Sequence, residues 1–208
     1  MWKSTLISTL RHASTDYNLQ RRYAGTLDVP LNCRGIAEAQ LAAAKLGDPC
    51  FDVAVASPLK RALQTVRILT GERIPIVVSE LCRERNFGVL EGLTWEQVPE
   101  VRPPILVIQV GGDQHTVNPA GGEALEAVWQ RALKFRRFLL KNHSGSRVLV
   151  VSHGVFLQLF HGLLLGLNCI ESLARYPANL ELWRFRLEGE RVADHSVCRL
   201  GEEGIDNW

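Results

Sequence analysis

Two apolar runs, each ending in a histidine, constrain this chain more than any other feature. Arg147 to Val151 has the pattern of a buried strand, and Ser152-His153-Gly154 follows it, with a helical pattern beginning at once. Thr5 to Leu10 has the same character and runs into Arg11-His12. Continuous aliphatic and β-branched strands belong to parallel sheets covered on both faces, and open α/β sheets collect their ligands beyond the carboxyl ends of such strands. Both histidines are therefore expected at one sheet edge, facing a crevice. A neutral imidazole can serve as a covalent nucleophile, and a neighbouring guanidinium clamps phosphoryl oxygens in bidentate fashion. His12 and Arg11 together suggest phosphoryl transfer, while Gly154 lets backbone approach a ligand at a helix start beside His153.

Composition narrows the class. A chain of 208 residues with 46% hydrophobic and 22% charged residues reads as one domain spanning 1–208, with enough length to bury a sizeable core. A formal net charge of +2 is too small to imply a nucleic-acid partner. The greasy stretch Val155 to Leu167, interrupted by Gln158 and His161, is too short to span a bilayer, so no membrane partner is expected. Met1-Trp2-Lys3 runs into a strand pattern without a signal-peptide segment, and the expected location is cytoplasmic. The five cysteines, Cys33, Cys50, Cys82, Cys169 and Cys198, are widely spaced without a C-x-x-C, arguing against a disulfide framework or a zinc site.

The remaining chain supplies candidate partners for the histidines. Ser14 to Val29 reads as an irregular loop over the site. In it Asn18 can offer an amide to a phosphate, and Arg21 and Arg22 either hold a second anionic group or are solvated. Asn32 caps a helix that Gly47 stops. Phe51 to Ala56 reads as a strand, with Ser57 as cap and Pro58 as first residue of a helix reaching Gly71. That frame puts Arg61 in the first turn, beside free N–H groups and the positive end of the helix dipole. Ile74 to Val78 is a third strand, followed by Glu84 between Arg83 and Arg85. This carboxylate suits a general acid or a surface ion-pair cluster. Thr94 and Gln97 form a capping-box pattern. Residues 99–121 read as an inserted lid or lip, with a short edge strand as the competing assignment. An amphipathic helix follows from Gly122-Glu123 to about Asn142. Val155 to Leu165 is a further helix, and Asn179 to Phe185 with Arg191 to Leu200 reads as a hairpin; the last residues read as frayed.

Taken in order, these blocks resemble the histidine phosphatase superfamily, in its phosphoglycerate mutase-like branch. Arg11-His12-Ala13-Ser14-Thr15 with Asn18 is similar to its R-H-G-x-T-x-x-N signature, and Tyr23, Gly25, Asp28, Pro30-Leu31, Gly35 and Gln40 match the segment that follows. Ser57-Pro58-Leu59-Lys60-Arg61-Ala62 with Thr65 resembles S-x-x-x-R-A-x-x-T. Glu84 with Phe87-Gly88 and Glu91-Gly92 matches the acid block, and Gly121-Gly122-Glu123 with Ser152-His153-Gly154 the last. Two departures are Ala13 in place of the usual glycine and Ser14 where many members carry an acidic residue.

The resemblance implies a three-layer α/β/α sandwich with a mostly parallel central sheet. It implies that His12 becomes a phosphohistidine, that Arg11, Arg61 and His153 hold phosphoryl oxygens, and that Glu84 protonates the leaving group. No cofactor is implied, because positioned cations meet the charge of the transition state, although two histidines and a carboxylate can also be read as a metal triad. The expected activity is metal-independent hydrolysis of a small phosphorylated metabolite. The alternatives are a phosphoglycerate-type mutase and an inactive module of the same fold, and a homodimer is a possible assembly. His115, His143, His161 and His195 match nothing in the family pattern and read as structural, with His115 singled out by its place in the lip.

Overall fold

The computed structural model describes residues 4–47 and 51–200; Met1 to Lys3, Cys50 and the frayed end expected at the C-terminus lie outside them. The sheet is built from β1 (Thr5–Arg11), β2 (Val53–Ala56), β3 (Ile76–Val78), β6 (Arg147–Ser152), β7 (Glu181–Glu188) and β8 (Arg191–Arg199). Its order is β3-β2-β6-β1-β7-β8. The first four are parallel to one another, while β7 runs antiparallel to β1 and β8 antiparallel to β7. This is a mixed α/β fold with a mostly parallel six-stranded sheet. β2 and β3 begin two residues later than the apolar patterns at Phe51 and Ile74 suggest.

Strand alternation assigns the two cores. Val53, Val55, Val148 and Val150 turn to the face covered by α4 (Leu125–His143) and α5 (Gly154–Leu164). Ala54, Ala56, Leu149 and Val151 turn to the opposite face, covered by α2 (Cys33–Leu46) and α3 (Lys60–Thr70). The second pair lies over small side chains, with Ala39, Ala42 and Ala62 fully buried, whereas Phe135, Phe156 and Phe160 fill the first. Asn32 caps α2 by accepting the Gly35 N–H, and Gly47 ends it in a positive-φ conformation. Among the described residues no helix is long and apolar enough to cross a membrane.

Two segments differ from the sequence reading. The loop after β1 contains a short helix, α1 (Asp16–Leu19), closed by a capping box between Thr15 and Asn18. Residues 99–121 contribute no strand to the main sheet; β4 (Val107–Val110) and β5 (Asp113–Thr116) pair with each other as a separate antiparallel ribbon. Ile105, Val107, Ile108 and Val110 of the apolar run pack against the core instead of extending the sheet edge.

His161 has the structural place expected of it. It is buried on α5, bonded to Thr9 Oγ1 of β1 at 2.6 Å and packed 4.6 Å from the Trp183 ring. Burial pushes its pKa down to about 3, helped by the charge of Arg175. The unfolded chain therefore takes up a proton near pH 6.5 that the folded chain refuses until about pH 3, so stability is complete above this window and falls as the pH drops through it. His161→Gln keeps a partner for Thr9 but cannot titrate. Urea unfolding at pH 7 and pH 5 should show the wild type losing about 2 kcal/mol more than the variant; parallel losses would contradict this account of His161.

Candidate active site

Register brings the histidines together. β1 pairs with β6 so that Arg11 lies opposite Ser152, and the His12 N–H donates to the Ser152 carbonyl at 3.0 Å. The next residue on each strand is then a histidine at the same level, and the two rings lie 5.1 Å apart. α3 begins beside them. Its second residue, Arg61, directs one Nε–H at both rings, 3.2 Å from His12 Nε2 and 3.1 Å from His153 Nδ1. The other guanidinium nitrogens donate to the Gly25 and Leu27 carbonyls.

The partners fix the tautomers. His12 Nδ1 lies 2.8 Å from the Ala13 carbonyl and must donate to it, which leaves Nε2 as the lone-pair nitrogen. His153 accepts from Arg61 at Nδ1, so its Nε2–H donates to Ser57 Oγ at 2.7 Å. This corrects the expected role of Ser57. The N-cap position of α3 is Leu59, with no side-chain cap, and Pro58 precedes the helix. Ser57 Oγ, engaged by the buried His153 ring, reaches only the Leu59 N–H in the run-in to the helix.

Glu84 is buried, and neither flanking arginine pairs with it. Its Oε1 accepts the N–H groups of Arg85 and Phe156, and its Oε2 lies 3.3 Å from the Val155 N–H, so the carboxylate sits over the start of α5. Arg85 is buried beneath the lip and donates to the carbonyls of Thr116, Val117 and Glu123. Arg131 binds the carbonyls of Leu81, Arg83 and Glu84 and the Glu123 carboxylate. The acid loop is thus held through its backbone by Arg131 and tied by its own Arg85 to the backbone of the lip and of Glu123. Glu91 is consumed as a brace, accepting from Thr26 and from the Phe87 N–H.

Arg11 donates to the Pro177 carbonyl and lies 4.9 Å over the Tyr176 ring. Its buried Nε has no partner among the described residues. Asn179 donates to the His12 carbonyl at 2.6 Å. A Cβ on Gly154 would stand 1.8 Å from Tyr176 Oη, so only glycine fits at this start of α5. Sequence reasoning missed Tyr176 and Asn179, yet a signal existed. A strand antiparallel to β1 starts at the edge where β1 ends, and these residues immediately precede β7.

A cavity of about 480 Å³ opens above this group. Arg11, His12, Arg61 and Glu84 form its floor, and Asn18, Arg21 and Arg22 line it as well. Asn18 commits its Oδ1 to the Thr15 cap. Arg22 is held by Gln20 and the Gly92 carbonyl, and Arg21 is exposed, in a positive-φ conformation. Tyr23, Phe87 and Trp95 make an aromatic wall, and Asp113 to Thr116 of β5 make the facing lip. Among the described residues no three His, Cys, Asp or Glu side chains group as a metal site.

Burial, reinforced by Arg61 and Arg11, holds the His12 pKa well below the ordinary imidazole value, and His153 is lowered for the same reasons. Burial also brings the Arg61 guanidinium down to about 10, so it remains charged at neutral pH. The floor therefore presents the neutral His12 imidazole between Arg11 and Arg61, with His153 fully buried behind it, an arrangement that attracts an anion and sets the Nε2 lone pair beside a cation.

The model of the histidine phosphatase superfamily (branch 1) matches residues 7–197. The chain belongs to this superfamily. Among its histidine phosphatase relatives, phosphoserine phosphatase 1 of Hydrogenobacter thermophilus is 33% identical over 197 residues, 93% of each chain. A 2,3-bisphosphoglycerate-dependent phosphoglycerate mutase of Cytophaga hutchinsonii is 35% identical over 154 residues, 72% of each. The solved structure of Bacillus stearothermophilus YhfR superposes with a TM-score of 0.78 at 26% identity, covering 90% of this chain and 94% of its own.

The neutral state of His12 has a kinetic consequence. If attack requires the unprotonated ring, kcat/KM should hold as pH falls through 6.5 and decline only below it, once the substrate's own phosphate ionisation is allowed for. An acid limb at or above 6.5 in a pH series with an aryl phosphate would contradict the lowered pKa.

Proposed function

We propose that the chain is a metal-independent phosphatase that hydrolyses a small phosphorylated metabolite through a phosphohistidine on His12. The observation that carries this reading is the lone pair at His12 Nε2, with Nδ1–H committed to Ala13 and the Arg61 cation alongside. In the first step Nε2 attacks phosphorus, the bond to the leaving alkoxide breaks, and the Glu84 carboxyl gives its proton to that oxygen. In the second step water attacks the phosphohistidine, Glu84 takes the water's proton, and His12 is released with inorganic phosphate. Arg11 and Arg61 are assigned to the phosphoryl oxygens and Asn18 to a further one; His153, with its Nε2–H on Ser57 and its Nδ1 on Arg61, would reach an oxygen only by giving up one of these partners. Of the first N–H groups of α5, Val155 and Phe156 serve Glu84, which leaves that of Gly154 for the anion. Charge spread over the equatorial oxygens makes such fixed donors the main source of catalysis.

Relatives named as phosphatases and as mutases both support phosphoryl chemistry. Hydrolysis is favoured because residues 99–121 form only a short ribbon, whereas a mutase must enclose a bisphosphate and exclude water. The mutase reading rests on Arg21 and Arg22 at the rim, which could take a second anionic group. Phosphate transfer to a phosphoglycerate in the presence of its bisphosphate distinguishes the two. The presence of the whole set Arg11, His12, Arg61, Glu84 and His153 argues against an inactive module. A cytoplasmic setting fits the four described cysteines, Cys33, Cys82, Cys169 and Cys198, all of them free.

Two outcomes test the assignment. Glu84→Gln should slow alkyl phosphates by on the order of a hundredfold or more, and aryl phosphates progressively less as leaving-group pKa falls, in single-turnover kinetics. An equal loss across the series would remove Glu84 from the acid role. Activity should also survive a strong chelator; loss with EDTA and recovery with zinc or manganese would overturn the metal-independent reading.

A further inference from the structure

The lip carries chemistry that the hydrolytic steps leave unused. Asp113 and His115 are two apart on β5, hence on one face of the strand, and both line the cavity. His115 is only 8% exposed. Its ring donates to the Leu173 carbonyl, and its Nε2 is enclosed without a partner among the described residues. Since one nitrogen of a neutral imidazole donates and the other accepts, Nε2 is an acceptor lacking a donor. Burial lowers the His115 pKa, which keeps it in that state. A buried polar atom left unsatisfied is costly and calls for a partner.

Asp113 adds a charge. Its carboxylate acts electrostatically on both His115 and Tyr176, the ring that stacks on Arg11. Among the described residues no cation is paired with it. Arg85, whose charge also acts on His115, is turned to the backbone carbonyls of Thr116, Val117 and Glu123. That clamp also fixes β5 relative to Glu84, the neighbouring residue in the chain. The lip therefore offers a lone pair and a negative charge from a strand tied to the acid loop, opposite a floor that binds the phosphoryl group through cations.

We propose that Asp113 and His115 determine specificity by holding an N–H donor of a cationic leaving group, so that aminoalkyl phosphomonoesters are preferred over neutral alkyl or hydroxyalkyl ones. Resting on the phosphatase reading above, this assigns no chemical step to either residue. His115 Nε2 accepts from the ammonium and Asp113 supplies the countercharge. A neutral hydroxyl would satisfy Nε2 but gain little from the carboxylate, and a methyl group would leave both unsatisfied.

The test uses 2-aminoethyl, 2-hydroxyethyl and propyl phosphate with the intact protein, and 4-nitrophenyl phosphate as a reference ester. The three alcohols differ in intrinsic reactivity, so the quantity read is the change in each kcat/KM ratio between wild type and variant. The ratio of 2-aminoethyl to propyl phosphate should fall about tenfold or more in both Asp113→Asn and His115→Phe. Asp113→Asn should leave the 2-hydroxyethyl to propyl ratio nearly unmoved. Asp113 lies at a hairpin turn, so the Asn variant keeps the proposal testable if His115→Phe does not fold. Ratios that stay level in folded variants, with 4-nitrophenyl phosphate still hydrolysed, overturn this proposal alone. An equal fall for the hydroxyethyl ester in Asp113→Asn overturns the assignment to a cation. A wild type that hydrolyses none of the four esters overturns the phosphatase reading and this proposal with it.

Discussion

The site depends on one shared hydrogen-bond donor, the Nε–H of Arg61, which faces His12 Nε2 and His153 Nδ1 at nearly equal distances. A cation in that position keeps both rings neutral, and it orients them because each must present a lone pair to it. The remaining arginine nitrogens reach the Gly25 and Leu27 carbonyls, so the loop after β1 holds the guanidinium from above. Gly25 is in turn confined by Glu91, whose carboxylate lies where a Cβ would stand. A chain of contacts thus runs from the acid loop through Glu91 and Gly25 to Arg61 and the histidines. None of its links is a surface ion pair; they are buried bonds and contacts, which salt cannot screen in the way it screens exposed charges.

The sheet supplies the frame in which that donor works. Parallel pairing of β1 with β6 sets His12 beside His153, and β2 beside β6 brings Ser57 within reach of His153. Antiparallel β7 delivers Tyr176, Pro177 and Asn179 to the same edge from the opposite chain direction. Three strands therefore surround the nucleophile, and the register of each is fixed by side chains buried on both faces. A slip of one residue would turn the two cores inside out.

What was legible in the sequence follows the same physics. The strand ends at Arg11-His12 and Ser152-His153-Gly154 stood out because buried parallel strands read as continuous apolar runs, and Arg61 because a helix start follows the strand before it. Ser57 was misplaced because a serine before proline looks like a cap, and only the fold shows the imidazole that claims its hydroxyl. The ribbon at residues 107–116 was obscure because its strands are four residues each and their apolar residues, Val107, Ile108 and Val110, do not keep to one face. Asp113 and His115 carried no periodic signal of their own; what marks them is an unpartnered nitrogen and an unpaired carboxylate, properties of the folded state. Asn179 reads as the first residue of a hairpin strand and Tyr176 falls outside every patterned segment, whereas the strand begins only at Glu181.

The central claim is that His12 attacks through Nε2, the nitrogen left free when Nδ1–H is spent on the Ala13 carbonyl. Rapid denaturing quench during turnover of a phosphomonoester, followed by phosphorus and nitrogen NMR of the trapped protein, reads the site of attachment directly. The account predicts an acid-labile phosphoryl group on His12 Nε2 that forms and decays no slower than turnover. Turnover with no phosphohistidine, or phosphate on Nδ1 or on another residue, would contradict it.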